Sequence, residues 1–291
     1  MKKWLIKNTR SLVGKKVAVT GTTGGIGKEL CKYLAKLGAR LILCDRNYER
    51  SRAFGDELIK EYGGDVTCLT VDLSDINSVK KASQELVDLK PDIFIHNAGA
   101  YSIPRYISDT GLDNVFEINF ASPYYIIKEL LPTLREKRGR VVVVGSIAHN
   151  YSKADFSDID FHTKKAASKV YGNAKRYLMF SLFELFKNER EVTLSVTHPG
   201  ITFTNITAHY PKFIFAIIKH PMKVIFMKPK KAALSVLKGV FEATGYHEWM
   251  GPRFLGIWGM PKKQKLRTVK VSESLKIGEI AEDLYIKLQK D

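Results

Sequence analysis

The stretch Val17–Gly27, VAVTGTTGGIG, decides the fold. A short β-branched run ends at Thr20, glycines follow at Gly21, Gly25 and Gly27, and an apolar pattern at helical spacing (Ile26, Leu30, Leu34, Leu37) starts at once and stops at Gly38. Gly21 permits a tight turn off the strand, Gly25 lets the backbone approach a pyrophosphate, and Gly27 lets the helix pack against the sheet. The free N–H groups at the start of that helix then face the phosphates. A glycine cluster alone is weak evidence. Here a strand precedes it, a helix follows, and Asp45 ends the next strand 18 residues beyond Gly27, so the stretch reads as a dinucleotide-binding turn.

Outward from that turn, β-branched runs recur at RLILCD, DVTCLTVD, DIFIH, RVVVVG and VTLSVTH. They are almost continuously apolar, as strands buried on both faces of a parallel sheet are. Helical patterns lie between them, including Leu112 to Leu131, ending near Pro132, and Lys164 to Phe186. The alternation predicts an α/β fold with a doubly wound parallel sheet, a Rossmann fold. Past about residue 205 the rhythm breaks into an aromatic and basic stretch, a helix at Ala232 to Glu242 and a last short strand around Arg253 to Trp258. With no linker in sight, 1–291 reads as one domain, its core at about 14–205 and an elaborated C-terminal, substrate-covering segment at about 206–270.

Composition narrows the function. The chain has 291 residues, 45% hydrophobic and 26% charged, which fits a globular protein and excludes disordered and collagen-like classes. The longest oily stretch, Phe213 to Met227, is interrupted by Lys219, Pro221 and Lys223, and the basic start lacks a secretory apolar segment, so a cytoplasmic location is expected. Cys31, Cys44 and Cys68 form no CxxC pair and no metal spacing; they read as buried thiols, and no metal is expected. The net charge of +17 is local: residues 1–16 carry six basic residues and no acid, and residues 212–270 carry thirteen against Glu242 and Glu248. A neutral body with two basic segments argues against a nucleic-acid partner.

TGxxxGxG at Thr20–Gly27, NAG at Asn97–Gly99 and a later YxxxK resemble the short-chain dehydrogenase/reductase family over roughly residues 14 to 205. YxxxK occurs twice, at Tyr124–Lys128 and Tyr171–Lys175. Order selects the second, because the reacting tyrosine should follow a strand ending in serine, as Tyr171 follows RVVVVGS and Ser146. Moving a hydride between an alcohol carbon and nicotinamide also moves a proton on oxygen. A phenol near pKa ~10 is a poor base until a nearby ammonium favours the phenolate, and Lys175, one helical turn on, supplies it. Ser146 can hydrogen-bond the substrate oxygen.

The resemblance implies that Asn119 completes a tetrad by holding a proton-relaying water near Lys175, and that Lys175 binds the nicotinamide ribose. It places Gly21, Thr22, Thr23, Gly25, Ile26 and Gly27 at the cofactor, with Asp72 and Leu73 beside the adenine and Asn97, Ala98 and Gly99 near the central sheet. Tyr171 joins Lys175 there, and Pro199, Gly200, Thr202 and Thr204 grip the carboxamide. His96 departs from the family, which often has asparagine there, and reads as structural. Asp45 suits a ribose 2′-hydroxyl and NAD, whereas Arg46 suits a 2′-phosphate and NADP; repulsion at the strand end is harder to evade than an arginine that can swing away, which favours NAD.

Ser146 and Tyr171 lie 25 residues apart, and the insert contains His149, Tyr151, Asp155, Asp158 and His162. That spacing looks like the retinol-dehydrogenase-like branch, whose members tend to act on oily alcohols and carbonyls. Residues 210–231 offer apolar surface ringed by lysines: a lid over the substrate, an interfacial element on anionic lipid, or a dimer contact or plain core. Trp4 and its lysines offer a second peripheral membrane contact through 1–16, and a homo-oligomer stays open. The leading expectation is an NAD(P)-dependent oxidoreductase of a hydrophobic alcohol and its carbonyl, with Tyr171 as general acid/base. The alternative is a nicotinamide-cofactor-sensing binding protein with little turnover.

Overall fold

The computed structural model describes residues 1–201 and 227–290. Among them, the six apolar runs become β1 (Lys16–Thr20), β2 (Arg40–Asp45), β3 (Val66–Thr70), β4 (Ile93–His96), β5 (Arg140–Val144) and β6 (Thr193–Thr197). They join β7 (Glu248–Phe254) and β8 (Trp258–Lys265) in one sheet of order β3-β2-β1-β4-β5-β6-β7-β8. All neighbours are parallel except β7 and β8, which form an antiparallel hairpin at the edge. The expected parallel sheet therefore ends in a mixed edge. The last strand also needs correction: Leu255 and Gly256, inside the predicted strand at 253–258, have φ of 50° and 68° and make the hairpin turn. A glycine that can take positive φ turned the chain where continuous extension was expected.

Successive strand residues feed two separate cores. Ala18, Val141 and Val143 point into one, with α4 (Ile76–Leu89), α6 (Ser122–Glu136), α7 (Ala167–Leu185) and α9 (Val271–Lys290). Val17, Val19, Val142 and Val144 point into the other, with α2 (Gly25–Lys36), α3 (Tyr48–Tyr62) and α8 (Pro229–Phe241). Each such side chain, once fully buried, contributes roughly 1.5–3 kcal/mol. The short α1 (Lys2–Asn8) leans Trp4 and Leu5 onto the second core, so Trp4 packs inward while Ile6 stays exposed.

The helix expected at 112–131 starts instead with α5 (Asn114–Phe116), passes through a π turn at Glu117–Ala121, and continues as α6 past Pro132 to Glu136. The chain accepts Pro132 for the loss of one helical hydrogen bond. α9 lies beyond the last predicted element. Its buried Ile277, Ala281, Leu284 and Leu288 recur at helical spacing, so its signal is present in the sequence.

α9 is tied to α7 by an ion pair whose arginine is buried. Arg176, in the middle of α7, donates from Nε and Nη2 to the two carboxylate oxygens of Glu273 at 2.8 and 2.7 Å. Its Nη1 donates to the carbonyls of His149 and Ser152. With Arg176 only 5% exposed, removing the carboxylate leaves a buried charge without its partner. Glu273→Ala is expected to lower stability by about 3 kcal/mol or more, read as a fall in the urea midpoint; an unchanged midpoint would mean that α9 docks by its apolar face alone.

Candidate functional site

The carboxyl ends of β1 and β4 meet where the strand order reverses, and the crevice there is a cavity of about 370 Å³. Its floor is the glycine turn. Gly21 has φ of 70°, and a Cβ on it would lie 2.8 Å from the Ala98 Cα. A Cβ on Gly27 would overlap the Gly21 carbonyl oxygen. The Asn97 side chain donates to the carbonyls of Thr20 (3.1 Å) and Gly21 (2.9 Å). The Thr20 hydroxyl accepts from the amides of Asn97 and Ala98, and its own proton is left for His96 Nδ1 at 3.1 Å. His96, fully buried at the end of β4 opposite Thr20 of β1, thus serves as part of this brace. The first turn of α2 opens onto the cavity through Gly24, Gly25, Ile26 and Gly27, the geometry in which helix amides hold an anion.

Most of the expected cofactor residues converge here. Gly21, Thr23, Gly25, Ile26, Gly27, Asp45, Arg46, Asp72, Leu73, Asn97, Ala98 and Gly99 line the cavity. Thr22 does not; it is buried, and its hydroxyl donates to Asp45. Asp45 also accepts from the Thr23 amide (3.3 Å), the Thr23 hydroxyl (3.2 Å) and the Ser51 hydroxyl (3.3 Å). The carboxylate expected to meet a ribose is therefore largely occupied by its own chain. Arg46 is 76% exposed in its side chain and 4.0 Å from Asp72, and Arg50 lines the same rim. Arg50 was missed, although Asn47 capping its amide at the start of α3 is a readable signal.

Below the cavity stands the polar group at the end of β5. Lys175 donates from Nζ to the Val144 carbonyl at 3.0 Å and is only 1% exposed. Burial pulls its ammonium down to about 7. Burial also pushes the Tyr171 phenol up to about 12, partly offset by a hydrogen bond with the Ser146 hydroxyl. Tyr171 and Lys175 share one face of α7, Nζ lying 5.8 Å from the ring centre, and Tyr101 meets Tyr171 edge-on. Asn119 sits in the π turn; its side-chain amide donates to the carbonyls of Val115 and Ala100, both at 2.8 Å. A Cβ on Gly99 would lie 2.9 Å from Asn119 Oδ1 and 3.4 Å from Lys175 Nζ, so glycine lets these two groups face each other. The four residues form one cluster that can exchange a proton with an oxygen held beside the cavity.

Other expected residues go elsewhere. Tyr124 and Lys128 both bond Glu282 of α9, which makes that YxxxK pair a clamp on the C-terminal helix. Pro199 and Gly200 follow β6 and pack toward the hairpin, where a Cβ on Gly200 would meet the Ile257 carbonyl at 2.8 Å. Thr202, Thr204 and residues 210–226 of the expected lid lie outside the described residues. His149 donates from Nδ1 to the Ser146 carbonyl (2.6 Å) and accepts from the Thr268 hydroxyl (2.8 Å), bracing Ser146 from behind. The three cysteines are free; Cys31 and Cys44 are buried, and Cys68 is half-buried. Among the described residues, no helix is long and apolar enough to cross a membrane.

Residues 15–213 match the short chain dehydrogenase family. An uncharacterised oxidoreductase of Schizosaccharomyces pombe is 29% identical, the alignment covering 81% of this chain and 74% of that protein. Retinol dehydrogenase 14 of Mus musculus is 29% identical over 67% of this chain; the chain spans 64% of that relative's length. Among solved structures, an uncharacterised protein from Mycobacterium paratuberculosis superposes with a TM-score of 0.75 at 22% identity, covering 98% of this chain and 96% of that one. RhlG of Pseudomonas aeruginosa, in a complex with NADP, gives 0.61 at 25% identity, covering 80% and 91%.

The buried lysine makes a signed prediction for pH. Between its folded value of about 7 and its unfolded value of 10.5, the unfolded chain binds a proton that the folded chain does not. Stability attributable to Lys175 therefore rises with pH through that window. Relative to Lys175→Met, the cofactor-free wild-type protein is expected to gain up to about 1.4 kcal/mol per pH unit between pH 7.5 and 9.5. Parallel urea-midpoint curves for the two proteins would show that Lys175 stays protonated.

Proposed function

Since the chain belongs to the short-chain dehydrogenase family, we propose that it interconverts an apolar alcohol and its carbonyl compound, with Tyr171 as the general acid/base and NADP as hydride carrier. The observation that carries this reading is the convergence of Ser146, Tyr171, Lys175 and Asn119 at the foot of a glycine-floored cavity. When bound, the nicotinamide supplies or accepts the hydride. Everything else falls to the chain's own groups.

With burial holding its phenol up, Tyr171 is protonated at neutral pH and ready to donate to an oxygen gaining negative charge. Ser146 shares that oxygen through a hydroxyl oriented by the Ala148 amide and the Tyr171 phenol. Lys175 replaces the lost proton or favours the phenolate in the reverse direction. Asn119 and Lys175 both lie against Gly99, where Asn119 would steady a relay that reprotonates the lysine. A cofactor-sensing protein without turnover has no need of a phenol and an ammonium paired in this way.

The choice of NADP rests on the rim. Three of the protein's own side chains, Thr22, Thr23 and Ser51, donate to Asp45, and few of its lone pairs remain for a ribose hydroxyl. Arg46 and Arg50 stand at the same rim with guanidinium groups suited to a phosphate. This weighs against the preference for NAD drawn from the position of Asp45. The apolar substrate class draws on the similarity to retinol dehydrogenases. The sheet runs unbroken into β7 and β8, which supports reading 1–291 as one domain. We read any membrane contact as peripheral, through α1 and 210–231.

Tyr171→Phe is expected to lower turnover of a screened apolar aldehyde or alcohol by at least ~100-fold, while nicotinamide cofactor still binds within a few-fold of wild type. Equal turnover in the variant would overturn the catalytic assignment. Calorimetric titration should show NADPH binding more tightly than NADH, and Arg46→Ala combined with Arg50→Ala should narrow the gap at least ~10-fold. Tighter NADH binding by the wild type would return the choice to Asp45.

A further inference from the structure

The insert between β5 and α7 carries a second cluster that the oxidoreductase reading does not use. In the run Asp158–Ile159–Asp160–Phe161–His162, alternate side chains bring Asp158 Oδ1, Asp160 Oδ1 and His162 Nδ1 within 4.8 Å of one another. His162 Nδ1 lies 3.0 Å from each of the two oxygens. Both aspartates are buried, 7% and 4% exposed.

Each carboxylate is anchored by its other oxygen. Asp160 Oδ2 accepts from the Asp113 amide at 2.7 Å, and Asp158 Oδ2 accepts from the Thr163 hydroxyl, with Lys164 Nζ 3.9 Å away. Carboxylates held from behind in this way are what metal ligands require. The Nδ1 hydrogen of His162 is spent on Asp160. Asp158 Oδ1, although aimed at the same ring nitrogen, has no hydrogen-bond partner. One hydrogen serves one carboxylate, whereas a cation among the three atoms serves both oxygens and the nitrogen together.

His162 Nδ1 keeps a ligand-like separation of 3.0 Å from each of the two oxygens. Adjacent ligands at about 2.1 Å from an octahedral metal lie about 3.0 Å apart, shorter than the roughly 3.4 Å of a tetrahedral set. Two carboxylate oxygens and one imidazole nitrogen at octahedral spacing select a first-row divalent ion such as manganese over calcium or magnesium. The side chain of His162 is 54% exposed, so the remaining coordination positions face water.

We propose that Asp158, Asp160 and His162 bind a divalent transition-metal ion that staples the insert to the two helices bearing the catalytic residues. Asp113, whose amide backs Asp160, caps α5 through the Val115 amide, four residues before Asn119. Asn173, on α7 two residues past Tyr171, donates to the Ile159 carbonyl at 2.7 Å. An ion at 158–162 therefore acts on both supports at once. The absence of a metal expected from the sequence came from the cysteine pattern, and these ligands are not cysteines.

The test is independent of catalysis. Untagged, EDTA-stripped full-length protein is titrated with Mn²⁺ followed by electron paramagnetic resonance, and with Zn²⁺ followed by calorimetry. His162→Ala, at an exposed position, and Asp160→Asn are run in parallel, with circular dichroism confirming that each is folded. The expected result is one equivalent bound by the wild-type protein, a rise in Tm on adding metal, and at least ~10-fold weaker binding in both variants. No saturable binding by the wild type, or binding unchanged in folded His162→Ala, overturns the site and leaves His162 as an imidazolium bridge between two aspartates.

Discussion

The contact on which the rest depends is the approach of α2 to the turn it springs from. Gly27 rides over the Gly21 carbonyl so closely that a methyl group has no place there, and Asn97 ties that carbonyl to β4. One contact thereby sets the direction of the helix amides and the depth of the cavity. It also sets the position of the Asn97–Gly99 loop. Because Gly99 lies against both Asn119 and Lys175, the glycine turn and the cluster at the end of β5 are placed by the same piece of backbone.

The proton end is costly to maintain. Lys175 has no carboxylate partner; its ammonium rests on the Val144 carbonyl inside the fold, and burial lowers its pKa accordingly. Such an arrangement is poor for stability and suited to proton transfer, because both Lys175 and Tyr171 are pushed toward their neutral forms. The two cores on either face of the sheet supply the compensation, and the π turn keeps Asn119 in line by spending its amide on neighbouring carbonyls.

The C-terminal region acts as a backing plate. Glu273 meets Arg176 on α7, Thr268 meets His149 behind Ser146, and Glu282 takes both Tyr124 and Lys128. The second YxxxK pair is thus chemically similar to the first and mechanically different. Its lysine faces a carboxylate, and its phenol is pushed up by burial and by that same charge. Tyr171 meets the Ser146 hydroxyl, whereas Tyr124 meets the Glu282 carboxylate.

Much of this was legible in the chain alone. The six parallel strands and the glycine turn follow from local patterns, since burial on both faces and positive φ each leave a mark over a few residues, whereas Ser146, Tyr171 and Lys175 are picked out by the family resemblance and their order in the chain. The hairpin at 248–265 was misplaced because apolar residues continue through its turn, and only pairing between β7 and β8 locates it. The direction of Asp45 was also hidden: a carboxylate at a strand end looks free for a ligand until Thr22, Thr23 and Ser51, from two other segments, close around it. The sequence by itself determined the six parallel strands, the glycine turn and the tyrosine–lysine spacing on α7. Only the tertiary structure decided which polar groups remain free, because hydrogen-bond partners are shared out among segments that sequence spacing does not bring together.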